Sequence, residues 1–191
     1  MKSKLVGFMG APGTGKTTLA CAMKEYLLTK NVSSDVCTEY AREFCFKYGI
    51  SKDPYASYRM TLAQRDREDI LLKGTNEYIF SDAPIWLGYV YPLINMPHGC
   101  SQEMYDILPD VYQRFVIDQK DRYHKVFYLK NENPYDDGCR DMEVNKMIAD
   151  VMDGFVATHK HLLPIEIIND PIEMTEARKE VVWKKIQEIN K

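Results

Sequence analysis

Two hydrophobic periodicities alternate along the chain. Short, mainly apolar runs stand at Leu5–Met9, Glu77–Ser81, Lys125–Leu129 and Ile165–Ile168, and a run of mixed polarity stands at Ser34–Thr38. Runs of this length read as strands. Between them apolar residues recur at helical spacing. Helices are predicted from Thr18 to Leu28, from Tyr40 onward, from Tyr55 to Leu72, from Asp141 to His161 and from Ile172 to Ile189. The clearest stripe is Val144, Met147, Ile148, Val151, Met152, Phe155 and Val156, expected to be core. Strands alternating with helices imply right-handed crossovers and a parallel sheet. The expected fold class is therefore α/β, with a five-stranded parallel sheet flanked by helices. In such a sheet a ligand lies beyond the carboxyl ends of the strands.

Composition changes this picture little. The chain has 191 residues, enough for one domain over 1–191 with a buried core. The formal net charge of −3 gives no electrostatic reason for a nucleic-acid or anionic-membrane partner. No stretch has the length and apolarity of a membrane span, and no signal-peptide core or targeting extension is expected. Cys21, Cys37, Cys45, Cys100 and Cys139 are scattered, without a C-x-x-C pair, and fit reduced thiols in a cytoplasm.

The first strand runs into Gly10-Ala11-Pro12-Gly13-Thr14-Gly15-Lys16-Thr17, followed by Thr18 and a helix. This fits G-x-x-x-x-G-K-[ST] at every fixed position, in the strand–loop–helix context that a P-loop requires. The glycines let the backbone bring N–H groups against phosphate oxygens, and the helix start adds its positive dipole end. Lys16 can reach the β- and γ-phosphates, and the Thr17 hydroxyl can ligate Mg²⁺. The expected ligands are ATP and Mg²⁺.

The other strand ends supply further candidates. Glu39, at the junction into Tyr40-Ala41-Arg42-Glu43, is either a base for an attacking hydroxyl or an acid favoured by a helix dipole. Asp82, after Phe80-Ser81, is placed to hold Mg²⁺ or act as base, and with Pro84 it also resembles a helix cap. Residues 131–141, rich in Asn, Asp, Pro and Gly, have the look of a mobile lid. Arg140 at its end either swings onto the phosphates or belongs to an ordinary surface loop. Gln64, Arg65 and Arg67 either face an acceptor or form a solvated stripe with Asp66, Glu68 and Asp69.

The stretches G-A-P-G-T-G-K-T-T-L-A at 10–20, E-Y-A-R-E-F at 39–44, F-S-D at 80–82 and F-Y-L-K-N-E-N-P-Y-D-D-G-C-R at 127–140 resemble the nicotinamide riboside kinase domain of NadR-type proteins, a branch of P-loop kinases with bacterial and phage members. The resemblance runs along nearly the whole chain. It implies a P-loop kinase fold with a lid, and γ-phosphoryl transfer from ATP to a hydroxyl of a nucleoside- or riboside-type acceptor. It favours the catalytic readings of Glu39, Asp82 and Arg140 beside Lys16 of the P-loop; Glu39, Tyr40, Arg42 and Gln64 are the expected acceptor contacts. There are departures: no H-x-G-H motif is present, Tyr135 stands where riboside kinases usually carry Trp, and Asp82 is followed by Ala-Pro as in phage relatives. Some of those relatives phosphorylate a hydroxymethylated pyrimidine, such as 5-hydroxymethyluracil, in DNA. That reaction, a nucleoside monophosphate kinase and a regulatory P-loop ATPase are the alternatives. The expected setting is the cytoplasm of a bacterium or phage-infected host.

Overall fold

The computed structural model describes residues 2–49, 54–95, 101–130, 142–169 and 175–188. Within them lie β1 (Lys4–Met9), α1 (Lys16–Leu28), β2 (Ser34–Cys37), α2 (Tyr40–Tyr48), α3 (Pro54–Leu72), β3 (Tyr78–Ser81), α4 (Leu87–Asn95), α5 (Gln102–Asp118), β4 (Lys125–Leu129), α6 (Met142–His159), β5 (Ile165–Ile168) and α7 (Thr175–Glu188). The five strands form one parallel sheet in the order β2-β3-β1-β4-β5. The strand expectations hold to within a residue at each end. The predicted lid, with Tyr135 and Arg140, lies outside the described residues.

Strand alternation divides the core between the two faces of the sheet. Val6, Phe8, Phe80, Phe127 and Leu129 pack with Leu19, Ala20, Met23 and Leu27 of α1 and Val182 and Ile186 of α7. Leu5, Met9, Ile79, Val126 and Tyr128 pack on the other face with Trp86, Val90 of α4, Val116 of α5 and Ile148, Met152, Phe155 and Val156 of α6. The predicted α6 stripe is corrected at its start. Val144 and Met147 are 40% and 44% exposed, whereas Asn145 is buried. The inward face of this helix runs 145, 148, 152, 155, so its first turn presents a polar residue inward and leaves two hydrophobes outside.

Gly7 stands in the middle of β1, opposite Ser81 in the register with β3. A β-carbon there would lie 2.5 Å from Pro84 Cγ. The missing side chain thus lets the segment after β3 fold down over β1. Met9, Cys37, Ser81 and Leu129 end their strands on the same side of the sheet, and Asp82 N–H donates to Cys37 C=O at 3.0 Å. Loops carrying Gly10, Glu39 and Asp82 therefore gather at one edge.

Candidate active site

The loop after β1 is shaped by contacts that only small residues allow. A β-carbon on Gly10 would sit 2.7 Å from Thr14 Oγ1 and 2.8 Å from Leu129 C=O. Gly13 and Gly15 hold φ of 75° and 83°, the left-handed region where a side chain is strained. Buried Thr14 donates to Ala11 C=O at 2.9 Å and closes the loop on itself. Gly15 caps α1 without a side-chain hydrogen bond, which leaves first-turn N–H groups facing an anion site. Lys16 Nζ donates to Gly10 and Ala11 C=O, both at 2.9 Å. Its ammonium is thus folded back over the loop it would share with a triphosphate. Pro12 is buried and Thr18 exposed. From α7, buried Arg178 donates to Thr14 C=O at 3.2 Å, a brace that the sequence pattern did not reveal.

Asp82 lies beside this loop, 3% exposed. Its Oδ2 accepts the Thr17 hydroxyl at 2.6 Å, while the buried Oδ1 finds no hydrogen-bond partner among the described residues. Burial raises its pKa above the ordinary aspartate value; the Thr17 hydrogen bond and the Lys16 and Arg42 charges oppose this, and the Glu39 charge adds to it. These influences put Lys16, Thr17, Glu39 and Asp82 in one electrostatic neighbourhood, with exposed Arg42 acting through its charge. The cap alternative for Asp82 loses ground, since its carboxylate is engaged with α1 while α4 starts at Leu87. The unpartnered Oδ1 and the Thr17 hydroxyl are hard oxygen donors of the kind that suit Mg²⁺.

A cleft opens next to Asp82, beside Ala83 and Pro84. Ser57, Met60, Thr61 and Gln64 of α3 line it, with Ile85, Tyr91 and Glu39. Glu39 is the extended residue before α2 (φ −62°, ψ 119°). Gln64 fixes that junction: its Oε1 accepts Tyr40 N–H at 2.8 Å, and its Nε2 lies 3.4 Å from Cys37 Sγ. Burial pushes the Cys37 thiol up to about 12, so it stays protonated. The Ser57 hydroxyl is buried and finds no partner among the described residues. Of the expected acceptor contacts, Glu39 and Gln64 line the cleft. Tyr40 instead packs its ring against Phe44 and under the Arg67 guanidinium, which also pairs with Glu43.

One expectation is overturned. Glu68, placed in a solvated stripe by its neighbours in sequence, is wholly buried. Its Oε1 accepts the Ser81 hydroxyl at 2.6 Å and the Tyr123 hydroxyl at 2.8 Å, and its Oε2 accepts Arg122 Nε at 2.8 Å. Burial raises its pKa against those hydrogen bonds and the Arg122 charge. A signal was present in the sequence: Ser57, Thr61, Gln64 and Glu68 recur at i, i+4, i+7 and i+11. All four are buried, so the inward face of α3 is polar. Hydrophobic periodicity cannot report such a face, because it weighs only apolar residues.

The sequence profile of the AAA domain matches residues 5–178. The chain belongs to the AAA domain family. Among solved structures, this AAA-type P-loop domain is similar to NadR in complex with NAD and AMP-PNP, at 21% identity and a TM-score of 0.67, over 88% of this chain and 45% of that one. NadR in complex with NR gives 20% identity and the same TM-score. The chain thus spans less than half the length of NadR. Deoxyadenosine kinase from M. mycoides with bound dATP is similar over 96% of this chain and 99% of its own, at 16% identity and a TM-score of 0.64. These likenesses establish a P-loop kinase fold. No curated protein matches the chain.

Proposed function

We propose that the protein is an ATP- and Mg²⁺-dependent kinase that transfers the γ-phosphoryl group to a hydroxyl of a nucleoside- or riboside-type acceptor. The observation that carries this reading is the cleft itself: a mostly apolar slot beside Asp82, between α3 and the segment after β3, with Glu39, Ser57 and Gln64 as its polar groups. An ATPase switch has no need of such a slot. The folds it resembles belong to proteins whose complexes hold NR or a deoxynucleotide.

Positioning and electrostatics would supply the catalysis. The P-loop N–H groups and Lys16 would cradle the triphosphate. Thr17 and Asp82 would hold Mg²⁺, which neutralises phosphate charge when bound. Glu39 lines the cleft and Asp82 is turned toward Thr17, so Glu39 is assigned the acceptor hydroxyl's proton. Ser57 and Gln64 would offer hydrogen bonds to the base. Arg140, outside the described residues, is assigned by its place in the sequence to the transferring phosphoryl group.

The test is a turnover screen with ATP and a panel of nucleosides, nicotinamide riboside, nucleoside monophosphates and hydroxymethylated DNA. A free nucleoside or riboside should be the best acceptor. Glu39→Gln should then lower turnover by about 10²- to 10⁴-fold with ATP affinity unchanged, as loss of a general base does. Turnover confined to monophosphates or DNA would replace the acceptor reading. An unchanged Glu39→Gln rate would move the base role to Asp82.

A further inference from the structure

Buried ion pairs seldom stabilise a fold better than apolar packing would, so a wholly buried carboxylate invites another explanation. Glu68 sits behind the segment that carries Asp82. The residue before Asp82, Ser81, donates its hydroxyl to Glu68 Oε1. Beyond Asp82, the N–H of Ile85 donates at 2.7 Å to the Tyr123 hydroxyl, which donates in turn to the same Oε1. A single carboxylate oxygen thus holds the chain on both sides of Asp82. The other oxygen is fixed by Arg122, whose Nη2 is anchored on Asp69 Oδ1 at 2.8 Å and on Arg65 C=O at 3.1 Å. The Tyr123 ring is wedged against Trp86, centroids 4.9 Å apart, and Pro84 is pressed over Gly7. The turn is therefore held at Ser81, Pro84 and Ile85, while Asp82 keeps one oxygen on Thr17 and the other without a partner among the described residues.

We propose that Glu68, acting through Ser81 and Tyr123, is a positioning residue that clasps both flanks of Asp82 and presets its carboxylate for the metal–nucleotide complex. The proposal rests on the assignment of Thr17 and Asp82 to Mg²⁺ made above. The clasp touches neither the phosphates nor the acceptor. Its loss should therefore separate two quantities that a general loosening of the fold would change together.

The experiment compares ATP affinity in excess Mg²⁺ with ATP affinity in EDTA, by calorimetry, for the wild type, Tyr123→Phe and Ser81→Ala. Thermal melting checks that each is folded. Tyr123→Phe keeps the ring and removes only the hydroxyl; Ser81→Ala removes the other arm from a different element. In both variants the gain in affinity that Mg²⁺ confers should shrink by about 10- to 100-fold, the scale for groups that orient metal ligands. Affinity in EDTA should stay at the wild-type value, because the P-loop is untouched. An undiminished Mg²⁺ gain in both variants, or equal losses with and without Mg²⁺, would overturn the clasp. A wild type that binds ATP without any Mg²⁺ gain would instead bring down the Thr17–Asp82 assignment, and the clasp with it.

Discussion

Asp82 is held where its charge is unfavourable to the fold. Its pKa is raised by burial, so folding disfavours the charged form relative to the unfolded chain. A carboxyl group with a raised folded-state pKa lends its stability below the unfolded value and loses it as pH rises through the folded one. At neutral pH the charge therefore counts against folding. Asp82→Asn keeps an oxygen for the Thr17 hydroxyl and removes the charge. It should melt higher than the wild type at pH 7, with the gap closing as pH falls toward the ordinary aspartate range, while turnover collapses. Thermal melts across pH test this; a variant that melts lower at pH 7 would show that the Lys16 and Arg42 charges outweigh burial. Glu39 is half-buried and lines the cleft, close enough for its charge to act on Asp82.

At the scale of elements, α3 organises the site. Its Ser57–Thr61–Gln64 face lines the cleft and Glu68, one turn on, reaches behind β3. The helix meets α4 at Gly88, where a β-carbon would fall 1.9 Å from Thr61 Oγ1 and 2.8 Å from Thr61 Cβ. Gly88→Ala should therefore destabilise the protein by about 1–3 kcal/mol, the scale of overpacking, and Thr61→Ala should restore only part of that loss. Denaturant melts of the two single variants and the double variant measure the coupling. The inner strands β1, β3 and β4 were legible because burial on both faces writes mostly apolar runs, and the P-loop because its motif stands whole between a strand and a helix. Glu39 and Asp82 were legible by position, as acids just past strand ends. The polar inner face of α3 was not, since a buried Glu and a solvated Glu look alike in sequence until their partners are known. Ser81, Arg122 and Tyr123 come from other elements, and only the sheet register brings Ser81 to the same place. The same limit misplaced Val144 and Met147, whose spacing fits a stripe rotated by one position from the real one.

At the scale of the whole molecule, the two faces of the sheet have different duties. The face covered by α4, α5 and α6 also carries the cleft, with Ile85 and Leu87 shared between core and lining. The face covered by α1 and α7 carries the phosphate loop, and Arg178 ties the two helices' ends together through Thr14 C=O. Arg178→Met keeps much of the buried volume and removes the donor. A hydrogen bond from a charged group contributes about 1.5–3 kcal/mol to stability, so the variant should melt lower, and ATP affinity should fall as the phosphate loop loses its support. Unlike the clasp variants, it should lose affinity equally with and without Mg²⁺. Calorimetry under both conditions separates the two, and unchanged affinity would reduce Arg178 to packing.

The Arg178 brace also orders events in time. Thr14 leaves the ribosome 164 residues ahead of its partner. At a synthesis rate of about 5–20 residues per second, the phosphate loop waits roughly ten seconds or more for its support. A nascent chain with β1 and α1 already formed would hold the motif without its brace. Nucleotide would then select for molecules in which α7 has docked, and its binding energy would draw that docking forward.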